Sequence, residues 1–353
     1  MFNSSATSYL VSINLVTHNG RRCLPYCLAS IAQLENQDFF LLIVDNASLD
    51  GTVGLIRQFL KNNPSLAQRS RLIENRYNLG FARAHNQALA WTSGDFVLLL
   101  NQDVKLEANY LTELLKAIND DVACGSVSGK LDRWFLSVSE GGQSDDLSNR
   151  KVIDSAGLLI KRNRQVIDRG AGEMDKGQYN NAEKVFGVSG AAPLFRRQAL
   201  SAVSLGHEVL DEDFVSYKED VDLAWRLQRA GYNSLYVPTA VGYHDRSISL
   251  SRGWFNRWQQ RRRQLVKLRA YSWSNHWFVL LKNDDGLNLM RDLPWWFSYE
   301  LAKFFYLLLM ETSVWWQGIV RIFKLLPRMI YKRRRLKSVR QRAAWQIRGW
   351  WLR

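Results

Sequence analysis

The sequence predicts an α/β fold with a parallel-type sheet, on three observations. Short apolar runs alternate with longer stretches patterned at helical spacing. Several of those runs are apolar without a break, as in strands covered on both faces. And 353 residues are enough for one large α/β unit with a smaller appendage.

The elements follow in order. "YLVSINLV" (9–16) reads as a first strand, and "THNGRRCLPYCLASIAQ" turns into a helix. "FLLIVDNASLDGT" (40–52) is a second strand ending in a polar, Gly-containing loop, ahead of the helix "VGLIRQFLKNN". "SRLIENRYNLGFARAHNQALAWTSG" supplies a short third strand, a loop and a helix on which His85 is expected to be exposed. "FVLLL" (96–100) is a fourth strand that runs straight into Asn101-Gln102-Asp103. Residues 137–153, rich in Ser, Gly, Asp and Asn, read as a loop or insertion. "KVFGVSGAAPLFRRQAL" (184–200) gives a strand, a small-residue turn and a helix start. "SYKEDVDLAWRLQRAGY" (216–232) gives a helix with Val221, Ala224, Trp225 and Leu227 along one side, and "NSLYVPTAVGYHD" a late strand.

Three strand ends thus bring polar groups to one sheet edge: Thr17-His18-Asn19, Asp45-Asn46 and Asn101-Gln102-Asp103. Open α/β sheets bind ligands at that edge. One such end is an ordinary strand followed by a polar loop; three in sequence suggest a nucleotide site. G-x-G-x-x-G is absent after the first strand, which excludes a dinucleotide-binding dehydrogenase.

The net charge of +15 is unevenly placed. Twelve cations and no acid follow Glu311, and without them 36 basic groups face 33 acidic ones. Tryptophan is skewed the same way, with 11 of 14 beyond residue 250. Cys23, Cys27 and Cys124 form no disulfide framework and no zinc spacing, and Cys23 and Cys27 read as small buried side chains. The N-terminus lacks a charged region and a long apolar core, so no signal peptide is expected, and the thiols suit a reducing cytoplasm.

Taken together, "VDNASLDGT", "NLGFARAHNQAL", "LLLNQDV" and "FVSYKEDVDLAWRLQRAGY" resemble an inverting family 2 glycosyltransferase of the GT-A fold. Asn-Gln-Asp in place of Asp-x-Asp, with "GYHDRSIS" later, is similar to the rhamnosyltransferase-like branch. The resemblance covers roughly residues 9–285. It implies a Rossmann-like mixed sheet with helices on both faces, residues 1–250, with a nucleotide-sugar half to about 130 and an acceptor half from about 150. Residues 251–353 would form amphipathic, basic helices.

The resemblance also implies roles. Asp45 would read the base, with Thr17, Asn19 and Asn46 around base and ribose. Gly80 and Ala82 would admit the nucleotide backbone, and Arg83 would pair with phosphate. Asn101 and Gln102 would contact ribose or sugar. Asp103 would hold a divalent cation, Mg²⁺ or Mn²⁺, which neutralises charge on the departing diphosphate, and His244 would complete that site. Asp220 would be the base that deprotonates the acceptor hydroxyl, with Glu219 beside it orienting the acceptor or raising its pKa. Gly190 and Ala191 would form the turn under the acceptor, and Arg246 and Ser249 a flap. Acids at a helix start are also ordinary dipole compensation, and Asp222 with Arg226 reads as an intrahelical pair.

In "LPWWFSYELAKFFYLLLMETSVWWQGIV" (293–320), Glu300, Lys303 and Glu311 break the apolar run. Each would cost about 2.5–3.5 kcal/mol at a bilayer centre. Paired tryptophans followed by basic residues instead suit helices lying in an anionic membrane interface. "RGWFNRWQQRRRQLVKLR" (252–269) adds a basic, Trp-bearing helix suited to a lipid diphosphate. The implied partners are a nucleotide sugar, dTDP-rhamnose by the branch resembled with UDP-galactofuranose as an alternative, and a lipid-linked glycan at the cytoplasmic face, with no nucleic acid. The rival readings are a sugar nucleotidyltransferase and a non-enzymatic scaffold of the same fold.

Overall fold

The computed structural model describes residues 9–134, 151–245 and 265–351. Most of the 137–153 loop, Arg246, Ser249 and most of the 252–269 helix lie outside them. The first half follows the expected alternation: β1 (Val11–Thr17), α1 (Leu24–Ala32), β2 (Phe39–Asp45), α2 (Thr52–Asn62), α3 (Pro64–Ala67), β3 (Ser70–Glu74), α4 (Phe81–Trp91), β4 (Phe96–Asn101), β5 (Val104–Leu106), α5 (Tyr110–Asp120) and β6 (Cys124–Arg133). Strands β7 (Ile153–Ser155), β8 (Leu158–Ile160), β9 (Val166–Asp168), β10 (Glu183–Val185) and β11 (Leu194–Arg196) follow. Then come α6 (Arg197–Ala202), α7 (Glu219–Arg229) and β12 (Asn233–His244).

The main sheet runs β10-β12-β6-β11-β4-β1-β2-β3. Strands β3, β2, β1 and β4 are parallel, and β11 is antiparallel to both β4 and β6. The sheet is therefore mixed, as the resemblance implied. Its inner strands are buried on both faces: Ile13, Leu15, Leu41 and Leu98 pack with α1 and α5 side chains in one cluster, Leu42 and Val44 with Ala84 and Ala88 of α4 in another. His85 sits fully buried on that helix, the reverse of its expected exposure. Burial holds its pKa down at about 3, so the ring is neutral.

Strand β12 carries Pro238, which cannot donate in a ladder and so demands an irregularity in a central strand. Pairing with β6 shifts between Val237 and Val241, giving a bulge. Opposite it, a Cβ on Gly129 would lie 2.0 Å from the Ala240 carbonyl, so only glycine fits. Beyond the bulge, β12 pairs with β6 on one side and with β5 on the other, His244 standing opposite Val104.

Helix α7 differs from its amphipathic reading. Both sides are buried, with one face on α6 and the sheet and the other under C-terminal helices α8 (Val266–Asn283), α9 (Gly286–Arg291), α10 (Leu293–Met310), α11 (Thr312–Leu336) and α12 (Ala344–Arg348). Trp225 and Ala224 share a core with Phe278, Met329, Ile347 and Trp351. The basic tail is thus part of the packed protein. Lys332 is buried among Glu208, Asp211 and Asp213, Arg340 pairs with Asp285, and Arg348 with Asp292. Among the described residues no helix is long and apolar enough to cross a membrane.

Candidate active site

The three polar strand ends converge as expected, stitched together by their own side chains. Thr17 Oγ1 donates to Gln102 Oε1 at 2.5 Å, which also accepts the His18 amide, while Gln102 Nε2 donates to the His18 carbonyl. Gln102 therefore fastens the end of β4 to the end of β1. Asn19, in the left-handed region at φ 49°, accepts the Leu49 amide on Oδ1 and fixes the loop after β2. Asn46 accepts the Leu79 amide and donates to Asn78, fastening β2 to the loop before α4. These side chains shape the edge.

Asp45 is different. It is buried; its Oδ2 accepts the Ser48 amide, but its Oδ1 is buried without a hydrogen-bond partner. An orphaned buried carboxylate oxygen is costly, and it is available to a ligand N–H. Asp50 and Gly51 shape the loop beside it: Asp50 accepts from Arg21 and Thr52, and Gly51 sits at φ 88°.

Past β4, Asp103 meets the end of β12. The Asp245 amide donates to the Asp103 carbonyl, and Asp103 Oδ1 lies 3.4 Å from His244 Nε2. His244 Nδ1 is 2.9 Å from Asp154 Oδ2, on β7. Burial pushes the imidazole pKa down, but Asp103 and Asp154 outweigh it and raise the value to about 9. Asp245 is tied back to α1 by Arg22 at 2.6 Å. A carboxylate fixing the far nitrogen of a histidine is the usual support of a histidine metal ligand. Among the described residues no group of three or more candidate ligands occurs. Asp103 would suit a cation such as Mg²⁺ or Mn²⁺, whose shell substrate phosphates and water complete, and His244 would join it by giving up its Nε2 proton.

The base candidate adjoins this edge. The Asn101 amide donates to the Ala191 carbonyl, and the neighbouring Gly190 amide to Asp220 Oδ2 at 3.4 Å. A Cβ on Gly190 would stand 3.4 Å from that of Asp220. Asp220 Oδ1 accepts the Val221 amide at the start of α7. Burial raises the Asp220 pKa, and the nearby Asp168 carboxylate adds to the rise. Glu219 is buried with Oε2 unpartnered, and burial, then Asp220, raises its pKa to about 8. Asp222 and Arg226 form the expected pair at 2.9 Å, wholly buried.

Of the other expected nucleotide residues, Gly80 adjoins the edge, its carbonyl accepting from Asn46 Nδ2 at 3.4 Å. Ala82 is buried in the core with Leu99, Arg83 pairs with Glu212 at 3.1 Å, and Gly80, at φ 82°, packs against Val215. Sequence reasoning missed Asp154 and Asp168. Both lie on three-residue strands, Asp154 opposite the distant β6 and Asp168 in the local β8–β9 hairpin, and no spacing in the chain marks them.

The family model described as glycosyl transferase family 2 matches residues 12–203, and glycosyl transferase family group 2 matches residues 170–331. The chain is 24% identical over 233 residues to a poly-β-1,6-N-acetyl-D-glucosamine synthase of Staphylococcus aureus, covering 65% of this chain and 48% of that protein. The synthase of Staphylococcus epidermidis gives 23% over the same span. The chain thus spans about half the length of the curated relatives it matches. In fold it is similar to GalNAc-T7 solved with UDP, GalNAc and Mn²⁺, at TM-score 0.58 and 14% identity, covering 94% of this chain and 55% of that one. It is also similar to a Pyrobaculum calidifontis mannosyltransferase with GDP-Man and Mn²⁺, at TM-score 0.51 and 15% identity, with 98% and 84% coverage. A third similar fold is S. aureus TarS 1–349 with UDP-GlcNAc, at 0.53 and 14%, with 93% and 83% coverage. With the first family model matched over more than half of its length, the chain belongs to glycosyltransferase family 2 and has the GT-A fold.

Proposed function

We propose that this family 2 enzyme transfers a sugar, with inversion, from a pyrimidine nucleoside diphosphate to a lipid-linked glycan at an anionic membrane surface. The observation that carries the reading is the continuous edge on which Asp45, Asp103 with His244, and Asp220 are joined through Thr17, Gln102, Asn101 and the Gly190–Ala191 turn. The free Oδ1 of Asp45 accepts the imide N–H of uracil or thymine. Asp103 and His244 are the residues that would hold a divalent cation, which would supply neutralising charge for the departing diphosphate. Asp220, its pKa raised by burial, takes the acceptor proton. Gly190 leaves room for a sugar beside it.

The Asn-Gln-Asp wording favours dTDP-rhamnose as donor. A second reading, a UDP-sugar, is favoured by the TarS fold neighbour with its UDP-GlcNAc. Membrane attachment is supported by the outer faces of α10 and α11. Leu293, Phe297, Leu301, Phe305 and Leu309 are exposed at four-residue intervals, and Trp316, Val320 and Phe323 continue the surface. The acids that interrupt this run turn inward: Glu300 Oε1 lies 2.8 Å from His276, and Glu311 pairs with Arg269 at 3.0 Å. Lys324 next to Phe323 is exposed, as are Arg334 and Lys337 at the C-terminal end of α11, suited to a cytoplasmic-face leaflet. The test is transfer of labelled sugar from dTDP-rhamnose, and separately from UDP-GlcNAc, into a bacterial lipid extract with Mn²⁺. Incorporation from neither, by folded protein, overturns the reading.

A further inference from the structure

The chain ahead of the catalytic base is bent in a way that costs energy. Val215, after the 3-10 turn Glu212–Phe214, has φ 65° and ψ −57°, and the Ser216 amide donates to the Phe214 carbonyl at 2.7 Å. This is a γ-turn of the rare, strained form, centred on a β-branched residue for which positive φ is a true outlier. Tyr217 and Lys218 follow at φ 71° and 72°. Three non-glycine residues of four are held in conformations suited to glycine, directly before Glu219 and Asp220.

Two side chains from the C-terminal helices, Asn275 and Arg321, donate to carbonyls of this turn. Asn275 on α8 is fully buried, and its Nδ2 reaches the carbonyls of Phe214 at 3.0 Å, Ser216 at 2.9 Å and Tyr217 at 2.7 Å. Its Oδ1 accepts from Arg321 Nη1 at 2.7 Å. A guanidinium only donates, so this bond fixes which way the amide points. Arg321 Nη2 also donates to the Asp213 carbonyl, one residue before the turn.

The turn also touches the nucleotide side. The Val215 carbonyl accepts the Phe81 amide at 3.1 Å and stands 3.0 Å from where a Gly80 Cβ would be. One strained turn therefore starts α7, which carries Asp220, and caps α4, which follows the nucleotide loop. Strain of this kind persists only where surrounding structure enforces it. We propose that Asn275, oriented by Arg321, is a positioning residue for transfer: it holds the 214–218 turn so that Asp220 and the nucleotide loop keep their mutual register. This rests on the glycosyl-transfer reading for its kinetic consequence only.

The test is Asn275→Asp, which is isosteric and keeps Oδ1 for Arg321 but removes both N–H groups that the three carbonyls share. Release of nucleoside diphosphate from dTDP-rhamnose and from UDP-GlcNAc is measured with Mn²⁺, together with amide hydrogen exchange over residues 214–221. The expected result is a kcat about 10²-fold lower, the effect of a misplacement of about 1 Å, with donor KM within about twofold and faster exchange in the turn. Adding Val215→Gly to Asn275→Asp, which lets the turn adopt its φ freely, restores about tenfold of the lost kcat. A side chain that merely fills the core would show no such rescue. Unchanged kcat, or a loss that Val215→Gly leaves untouched, overturns the proposal. If wild-type protein turns over neither donor, the transfer reading fails, and exchange alone judges the clamp: unchanged exchange in Asn275→Asp overturns it.

Discussion

Lys332→Met isolates how the basic tail is held. Lys332 Nζ lies 2.9 Å from Glu208 Oε2, 2.5 Å from Asp211 Oδ1 and 2.9 Å from Asp213 Oδ2, and all four side chains are buried. Methionine keeps most of the apolar stem and removes the charge. Lys282 would still pair with Asp211, and Arg328 with Asp213 at 2.9 Å, but three buried carboxylates would be left short of one cation. Removing one partner of a buried ionic group costs about 3–5 kcal/mol. With an unfolding entropy of about 2.1 cal/mol/K per residue, this 353-residue chain should lose about 4–7 °C in Tm. Burial alone would raise the Asp211 pKa, yet Lys282 and Lys332 hold it well below the carboxylate range. Burial would lower that of Lys332, yet Asp211 and Asp213 raise it. The depressed Asp211 contributes stability present above its unfolded pKa of about 4 and lost as pH falls through the folded value. The raised Lys332 contributes stability present below about pH 10.4 and lost as pH rises through its folded value. The network is therefore at full strength from about pH 4 to 10. In Lys332→Met, Asp211 takes up a proton more readily, so the deficit should narrow as pH approaches 4. Calorimetric melts at pH 7.5 and 4.5 read both effects. A Tm within about 1 °C of wild type at pH 7.5 would refute the account of the tail as buried counter-charge.

Asp220→Asn should retain nucleotide binding and slow transfer by about 10²–10⁴-fold; near-normal turnover would remove Asp220 from the chemistry. Because Asp168 raises the Asp220 pKa and the base acts only when ionised, Asp168→Asn should shift the rising limb of the pH–rate profile to lower pH. An unmoved limb would separate Asp168 from the base. Trp316→Glu with Phe323→Glu should release the protein from sedimenting phosphatidylglycerol vesicles without lowering Tm, since both side chains are more than half exposed. Unchanged sedimentation would place the contact elsewhere. Deleting residues 321–353 is no clean alternative, because it strips Lys332, Met329 and Trp351 from the core.

The strands and helices of the first hundred residues were legible because burial on both faces leaves an unbroken apolar run, and each run is closed by polar residues. Asp45, Asp103, His244 and Asp220 stand out by motif as candidates, since each stands at an element end. What stayed hidden depends on long-range pairing. Asp154 meets His244 across 90 positions, and Asn275 meets Phe214 across 61. His85 reads as exposed because it is polar on a helix, yet it packs against Phe81 at 4.4 Å between ring centroids in a neutral pocket. The basic tail reads as a membrane-facing surface because its counter-charges, Asp211, Asp213, Asp285 and Asp292, lie far off in sequence or on other helices.

Calorimetric titration of the protein with dTDP, UDP and GDP, each with Mn²⁺ and with EDTA, and repeated on Asp103→Ala, tests the central claim most directly. The account predicts binding of a uracil or thymine nucleotide that weakens in EDTA and in Asp103→Ala, with dTDP preferred if the donor is dTDP-rhamnose. Binding that ignores both metal and Asp103, or no binding by folded protein, would contradict it.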